Sequence, residues 1–192
     1  VPQFLVSALV HQGSWRHSNL IGRSLFSTIY KAMKEIAAIS AGDAQRILES
    51  YPKSIIRVLG DTRVDSVLAR RDGLNAPHFP KTWDKSNVLI GGSIWPADLV
   101  CLRSVLLDAL EELPELRLIL VPHEPTEQHI SEIEEIFSKY PIHLWSQGPK
   151  ERFAEARVLI VDEIGVLSSL YAKANLAFVG GAFTTGVHNI ME

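Results

Sequence analysis

Residues 87–125, NVLIGGSIWPADLVCLRSVLLDALEELPELRLILVPHEP, decide the fold of this chain. An apolar strand, NVLIGGS, ends in a Gly pair. A helix from Pro96 to Leu113 follows, with Leu99, Leu102, Leu106 and Leu110 on one face, and the strand LRLILVP returns. Strand, helix and strand in that order form a βαβ unit, which implies parallel pairing.

The alternation continues downstream. A helix around Thr126 to Phe137, the strands IHLW (142–145) and RVLIVD (157–162), the helix GVLSSLYAKA (165–174) and the strand LAFVGG (176–181) predict a doubly wound sheet. Upstream, Phe4 to Ala8 reads as a strand. Leu20, Ile29, Met33 and Ile36 fall at roughly helical spacing before the short apolar run IAAIS, which ends at Ser40. AGDAQRILES (41–50) is a second helix, and SIIRVLGD (54–61), apolar on both faces, is a buried parallel strand. Residues 66–87, with two prolines, a glycine and scattered charge, read as a short helix and an interdomain linker. The expected organisation is therefore α/β, with residues 1–65 and 88–192 as two Rossmann-like units on either side of that linker.

Composition narrows the function classes. With 192 residues, 46% hydrophobic content and no apolar run long enough to span a bilayer, the chain reads as soluble. A net charge of −3 with no basic stripe leaves a nucleic-acid partner without an electrostatic footprint. The single cysteine, Cys101, excludes an internal disulfide and a thiolate cluster, and reads as a small packed side chain. There is no internal repeat. Val1 begins inside what looks like an interior strand, and His188 to Glu192 is one turn of a helix with no room to continue, so both ends read as cut.

Ligands of such sheets bind beyond the carboxyl ends of the strands, and three loops there hold candidate residues. In GGSIWP (91–96), Gly91 and Gly92 allow a sharp turn, Ser93 can cap the following helix, and free amides can hold a phosphate or carboxylate; an ordinary capped turn is the plainer reading. In VPHEPTEQH (121–129), two prolines stiffen the backbone around His123 and Glu124. No metal-ligand spacing of established type joins these to His129. In AFVGGAFTTGVHNIME (177–192), Gly180 and Gly181 allow close approach to the main chain. Asn189 and Glu192, three apart, can grip vicinal hydroxyls such as a ribose's, or else form a capping box. Spacing leaves these two about even.

Taken in order, GDTRVD (60–65), GGSIWPAD (91–98), LILVPHEP (118–125), DEIGVLSSLYAKANLAFVGGAF (162–183) and GVHNIME (186–192) resemble the glycosyltransferases that move 3-deoxy-D-manno-octulosonic acid (Kdo) from CMP-Kdo onto lipid A precursors. The resemblance implies a GT-B type fold of two Rossmann-like doubly wound parallel-sheet domains, both incomplete here. Residues 1–65 resemble the back part of the acceptor-binding domain, and 88–192 the first part of the sugar-nucleotide domain. It implies Gly92, Ser93, Gly180, Gly181, His188, Asn189 and Glu192 as donor residues, with Glu192 on the ribose hydroxyls. Many relatives carry an arginine and then a histidine after the proline of LILVP, where this chain has His123 and Glu124. His123 thus stands as a phosphate ligand weaker than arginine and sensitive to pH. His11 and Arg16 fall on the acceptor side.

The resemblance further implies an inverting transfer with no cofactor and no metal, a catalytic base upstream of Val1, and a membrane contact through a preceding segment. The full protein would act on the cytoplasmic face of a bacterial inner membrane. Two other readings stand beside it: another sugar-nucleotide enzyme of this architecture, such as a UDP-sugar epimerase, and a non-catalytic nucleotide-binding module. The 192 residues alone are expected to be inactive and, with apolar sheet faces uncovered, to self-associate.

Overall fold

The structure, a computed structural model, describes residues 1–11, 13–14, 19–73, 77–148, 153–181 and 183. The chain divides into two compact units, one ending at Gly73 and the other beginning at Leu74.

The first unit holds a three-stranded parallel sheet of order β1-β2-β3, built from β1 (Gln3–Ala8), β2 (Met33–Ala38) and β3 (Ile56–Val58). Three helices, α1 (Leu20–Ala32), α2 (Ala41–Ser50) and α3 (Thr62–Gly73), follow the three strands in turn. α1 stops at Ala32, and Met33 is extended (φ −71°, ψ 131°), so Met33 and Ile36 belong to β2 rather than to the helix that their spacing suggests. The inward face of α1 is Gly22, Phe26 and Tyr30, four residues apart. Tyr30 stacks on Tyr51 at 4.4 Å between ring centres. The core is small: Ala8, Val10, Ile36, Ile47 and Tyr51. The strand expected from SIIRVLGD shrinks to three residues, with Ile55, Val58 and Leu59 exposed.

In the second unit, β4 (Asn87–Ile94), α4 (Pro96–Glu112) and β5 (Leu116–Pro122) form the βαβ unit. α5 (Glu127–Ile136), β6 (Ile142–Leu144), β7 (Val158–Ile160), the single turn α6 (Leu167–Leu170) and β8 (Leu176–Val179) complete a five-stranded parallel sheet of order β6-β7-β5-β4-β8. The sheet is filled on both faces because β5 is apolar at nearly every step. Leu118 and Leu120 pack with Leu99, Leu106 and Leu110 of α4 and Ile133 of α5, while Ile119 and Val121 face Trp83, Phe153, Leu159 and Leu170. Within the stretch read as a linker, Phe79 and Trp83 are core residues of this unit, and Trp83 donates its indole N–H to the Phe153 carbonyl at 3.1 Å. Cys101 lies on the exposed face of α4, not in the packing. The chain leaves β4 for β5 on one side, and β8 joins on the other. β4 is therefore the switch point, and its carboxyl end opens the crevice.

Candidate functional site

Three loops converge at the carboxyl ends of β4, β5 and β8. β4 pairs regularly with β5 up to Gly91, then bulges, and pairing resumes at Ile94. Inside the bulge Ser93 takes φ +55°, a left-handed conformation that side chains rarely adopt. Ser93 does not cap α4. Its Oγ lies 2.7 Å from Nδ1 of His123, at the end of β5. The His123 ring stacks on the indole of Trp95, with centres 4.1 Å apart and planes 18° from parallel. The His123 amide donates to the Ile94 carbonyl at 2.9 Å. Imidazole, hydroxyl and indole thus form one rigid group.

The β8 side is held by close backbone approach. The Gly180 amide donates to the Gly92 carbonyl at 2.8 Å. A Cβ on Gly180 would stand 2.1 Å from the Ser93 carbonyl oxygen, and one on Gly92 would stand 2.1 Å from the Tyr171 hydroxyl. Gly180 therefore requires glycine for contact rather than for turning, and a side chain at position 92 would displace the Tyr171 ring. Gly181 does use its freedom, with φ +96°.

Beneath these loops lies Asp98, in the first turn of α4 and fully buried. Its Oδ2 accepts two amides, from Trp95 at 2.9 Å and from Gly181 at 2.7 Å. Its Oδ1 is buried and has no hydrogen-bond partner among the described residues. Sequence alone does not single out Asp98, Trp95 or Tyr171. The spacing Trp95 to Asp98 is that of a helix cap, which hides its second role.

Gly92, Ser93, His123, Gly180 and Gly181 are thus gathered at the carboxyl end of the sheet, while His188, Asn189 and Glu192 lie outside the described residues. His11 sits exposed after β1 in the first unit, and Arg16 is outside the described residues. Among the described residues no group of three His, Cys, Asp or Glu side chains could hold a metal ion. The His129 ring hydrogen-bonds the Glu124 carbonyl at 2.8 Å.

A parallel α/β sheet with its loops drawn together at a switch-point strand defines a Rossmann-like unit, and known proteins resemble it in sequence and fold. The chain is 38% identical over 112 residues to a 3-deoxy-D-manno-octulosonic acid transferase of Chlamydophila psittaci, covering 56% of this chain and 24% of that protein. It is 33% identical over 145 residues to the one from Chlamydia trachomatis serovar A, and 23% identical over 192 residues to the one from Rickettsia felis. Over most of its length the chain is thus similar to a stretch of 3-deoxy-D-manno-octulosonic acid transferases. It spans about a quarter to two fifths of the length of these relatives. No protein-family model matches it. In fold it is similar to the C-terminal CMP-Kdo binding domain of WaaA from Acinetobacter baumannii, with a TM-score of 0.50 and 22% identity over 67% of this chain and 64% of that one. The α/β fold with two parallel sheets agrees with the GT-B type architecture that the motifs imply.

Proposed function

We propose that this chain is part of a glycosyltransferase that moves Kdo from CMP-Kdo to a lipid A precursor, with the second unit holding the donor nucleotide and the first contributing to the acceptor side. The observation that carries the reading is the glycine-mediated closure of the β8 loop onto the β4 loop, made by the residues that match the family's donor motif. In this reading an acceptor hydroxyl attacks the anomeric carbon of Kdo, the bond to the CMP phosphate breaks, and configuration inverts. The proton passes to a base that is none of the described residues. His123, fixed by Ser93 and Trp95, faces the phosphate in place of the arginine of many relatives, and Glu192 takes the ribose hydroxyls. The reaction uses no cofactor and no metal, and the complete protein works on the cytoplasmic face of the inner membrane. Among the described residues no helix is long and apolar enough to cross a membrane.

Calorimetric titration of the complete protein with CMP and with UDP tests the reading, together with a transfer assay on CMP-Kdo. CMP should bind and UDP should not. Glu192→Gln should weaken CMP by roughly tenfold, since a charge-assisted hydrogen bond contributes about 1.5–3 kcal/mol. Preference for UDP would overturn the reading in favour of a UDP-sugar enzyme, and CMP binding without transfer would favour a non-catalytic module.

A further inference from the structure

We propose that Asp98 is the positioning residue of the donor site: one buried carboxylate oxygen ties the β4 loop to the β8 loop and so sets the distance between the two walls of the crevice. The proposal rests on the donor-binding reading above. Oδ2 is shared between the amides of Trp95 and Gly181, the second of them 83 residues from Asp98 in sequence. Trp95 is the residue on which His123 stacks, and Gly181 directly follows the glycine that packs on the Ser93 carbonyl. Moving Asp98 therefore moves both walls at once.

The polar accounting argues against a plain helix cap. A capping box at this N3 position needs only the local Trp95 amide, which a Glu or Gln reaching back from the solvent side supplies without a fully buried carboxylate. Here the group is fully buried, makes no ion pair among the described residues, and leaves Oδ1 unanswered. That arrangement is unfavourable for stability alone. What it adds is a short, charge-assisted tie across the crevice, stronger than a neutral one and shorter than a glutamate would give.

The test compares Asp98→Asn and Asp98→Glu with Asp43→Asn, a matched change in the other unit, all in the complete protein. CMP affinity is read by calorimetry, stability by thermal midpoint, and the tie itself by hydrogen exchange of the Gly181 amide in the free protein. Asp98→Asn should raise the CMP dissociation constant roughly tenfold and speed Gly181 exchange by a similar factor. Asp98→Glu keeps the charge but adds a methylene at a fully buried site, so it should fold with a lowered midpoint and bind CMP several-fold more weakly because the walls are displaced. Asp43→Asn should lower the midpoint and leave CMP affinity unchanged. Wild-type CMP affinity in Asp98→Glu or Asp98→Asn would overturn the proposal, as would unchanged Gly181 exchange. If the wild-type protein fails to bind CMP, it is the functional reading that fails, and the exchange experiment still decides the role of Asp98.

Discussion

The two units use the same pair of devices and finish them differently. In each, a strand bulges near its carboxyl end around a serine with positive φ: Ser7 at +51° in β1 and Ser93 at +55° in β4. In each, an aspartate in the first turn of a helix reaches the backbone beyond a neighbouring strand: Asp43 takes the Val10 amide at 3.0 Å and Asp98 the Gly181 amide. In the first unit every partner is structural. Ser7 Oγ accepts from the Thr62 amide and bonds its hydroxyl, while Asp43 is also held by Ser40 and Arg46. In the second unit the serine meets the His123 imidazole and the carboxylate keeps one buried oxygen unpaired. The backbone device is thus a property of the fold, and what it is left facing is the property of the site.

The units also differ in how they are covered, and the largest expected effect concerns this. Ile21, Leu25 and Ile29 form a stripe along α1 that is 76%, 60% and 46% exposed, and Phe4 and Val6 of β1 are also open to solvent. The second unit packs a hydrophobic core against each face of its sheet, leaving the edge strand β8 open at Leu176 and Ala177. A polypeptide confined to residues 1–192 should therefore form dimers or larger species by light scattering, through the first unit. Ile21→Lys with Leu25→Glu should return it to a monomer, whereas Val100→Lys and Val105→Lys on α4 should not. A well-dispersed unsubstituted monomer would remove this side of the contrast.

Next in size is the glycine contrast. Gly180→Ala sets a methyl against the Ser93 carbonyl and the Asp98 carboxylate and should cost about 3 kcal/mol or more, with loss of the crevice. Gly42→Ala, on the helix that carries Asp43, meets nothing nearer than 3.5 Å and should stabilise by about 0.5–1 kcal/mol. Urea unfolding of each, followed by fluorescence, checks the pair.

Much of this architecture is legible in the amino-acid sequence, and the exceptions have physical reasons. β4, α4 and β5 announce themselves because Leu99, Leu106 and Leu110 fall on one face and Pro96 starts the helix. The end of α1 is invisible because no Gly or Pro marks it and apolar spacing runs on through Met33. Trp83 reads as part of a linker because its burial comes from Phe153, far along the chain. The site residues are legible as glycines and polar groups at strand ends. Asp98 is not, since its telling partner is Gly181 and local spacing shows only a cap.

A smaller effect comes from acid. Hydrogen bonding from Ser40, then from the Val10 amide, with the charge of Arg46, holds the Asp43 carboxyl below its ordinary 3.8, against the opposing pull of burial. Its folded value is depressed, so its contribution is present above about pH 4 and fades as pH falls through the lowered value. Asp43→Asn should cost about 1–2 kcal/mol at pH 7 and flatten the fall in stability below about pH 4. An unchanged acid limb would show that Asp43 is not the closed counterpart of Asp98.

The smallest expected effect is the sharpest test of the comparison. Ser93→Gly relieves a left-handed side chain, worth about 1–2 kcal/mol, and loses one hydrogen bond to His123, worth about 1 kcal/mol, so stability should hardly move. CMP affinity should still fall a few-fold, because His123 loses the group that fixes its ring. Ser7→Gly relieves the same strain but gives up two contacts to Thr62, one of them to a main-chain amide at the start of α3. It should therefore be the more destabilising of the two and leave CMP affinity alone. If the two serines instead behave alike in both stability and affinity, the device has the same use in both units, and His123 does not take its orientation from Ser93.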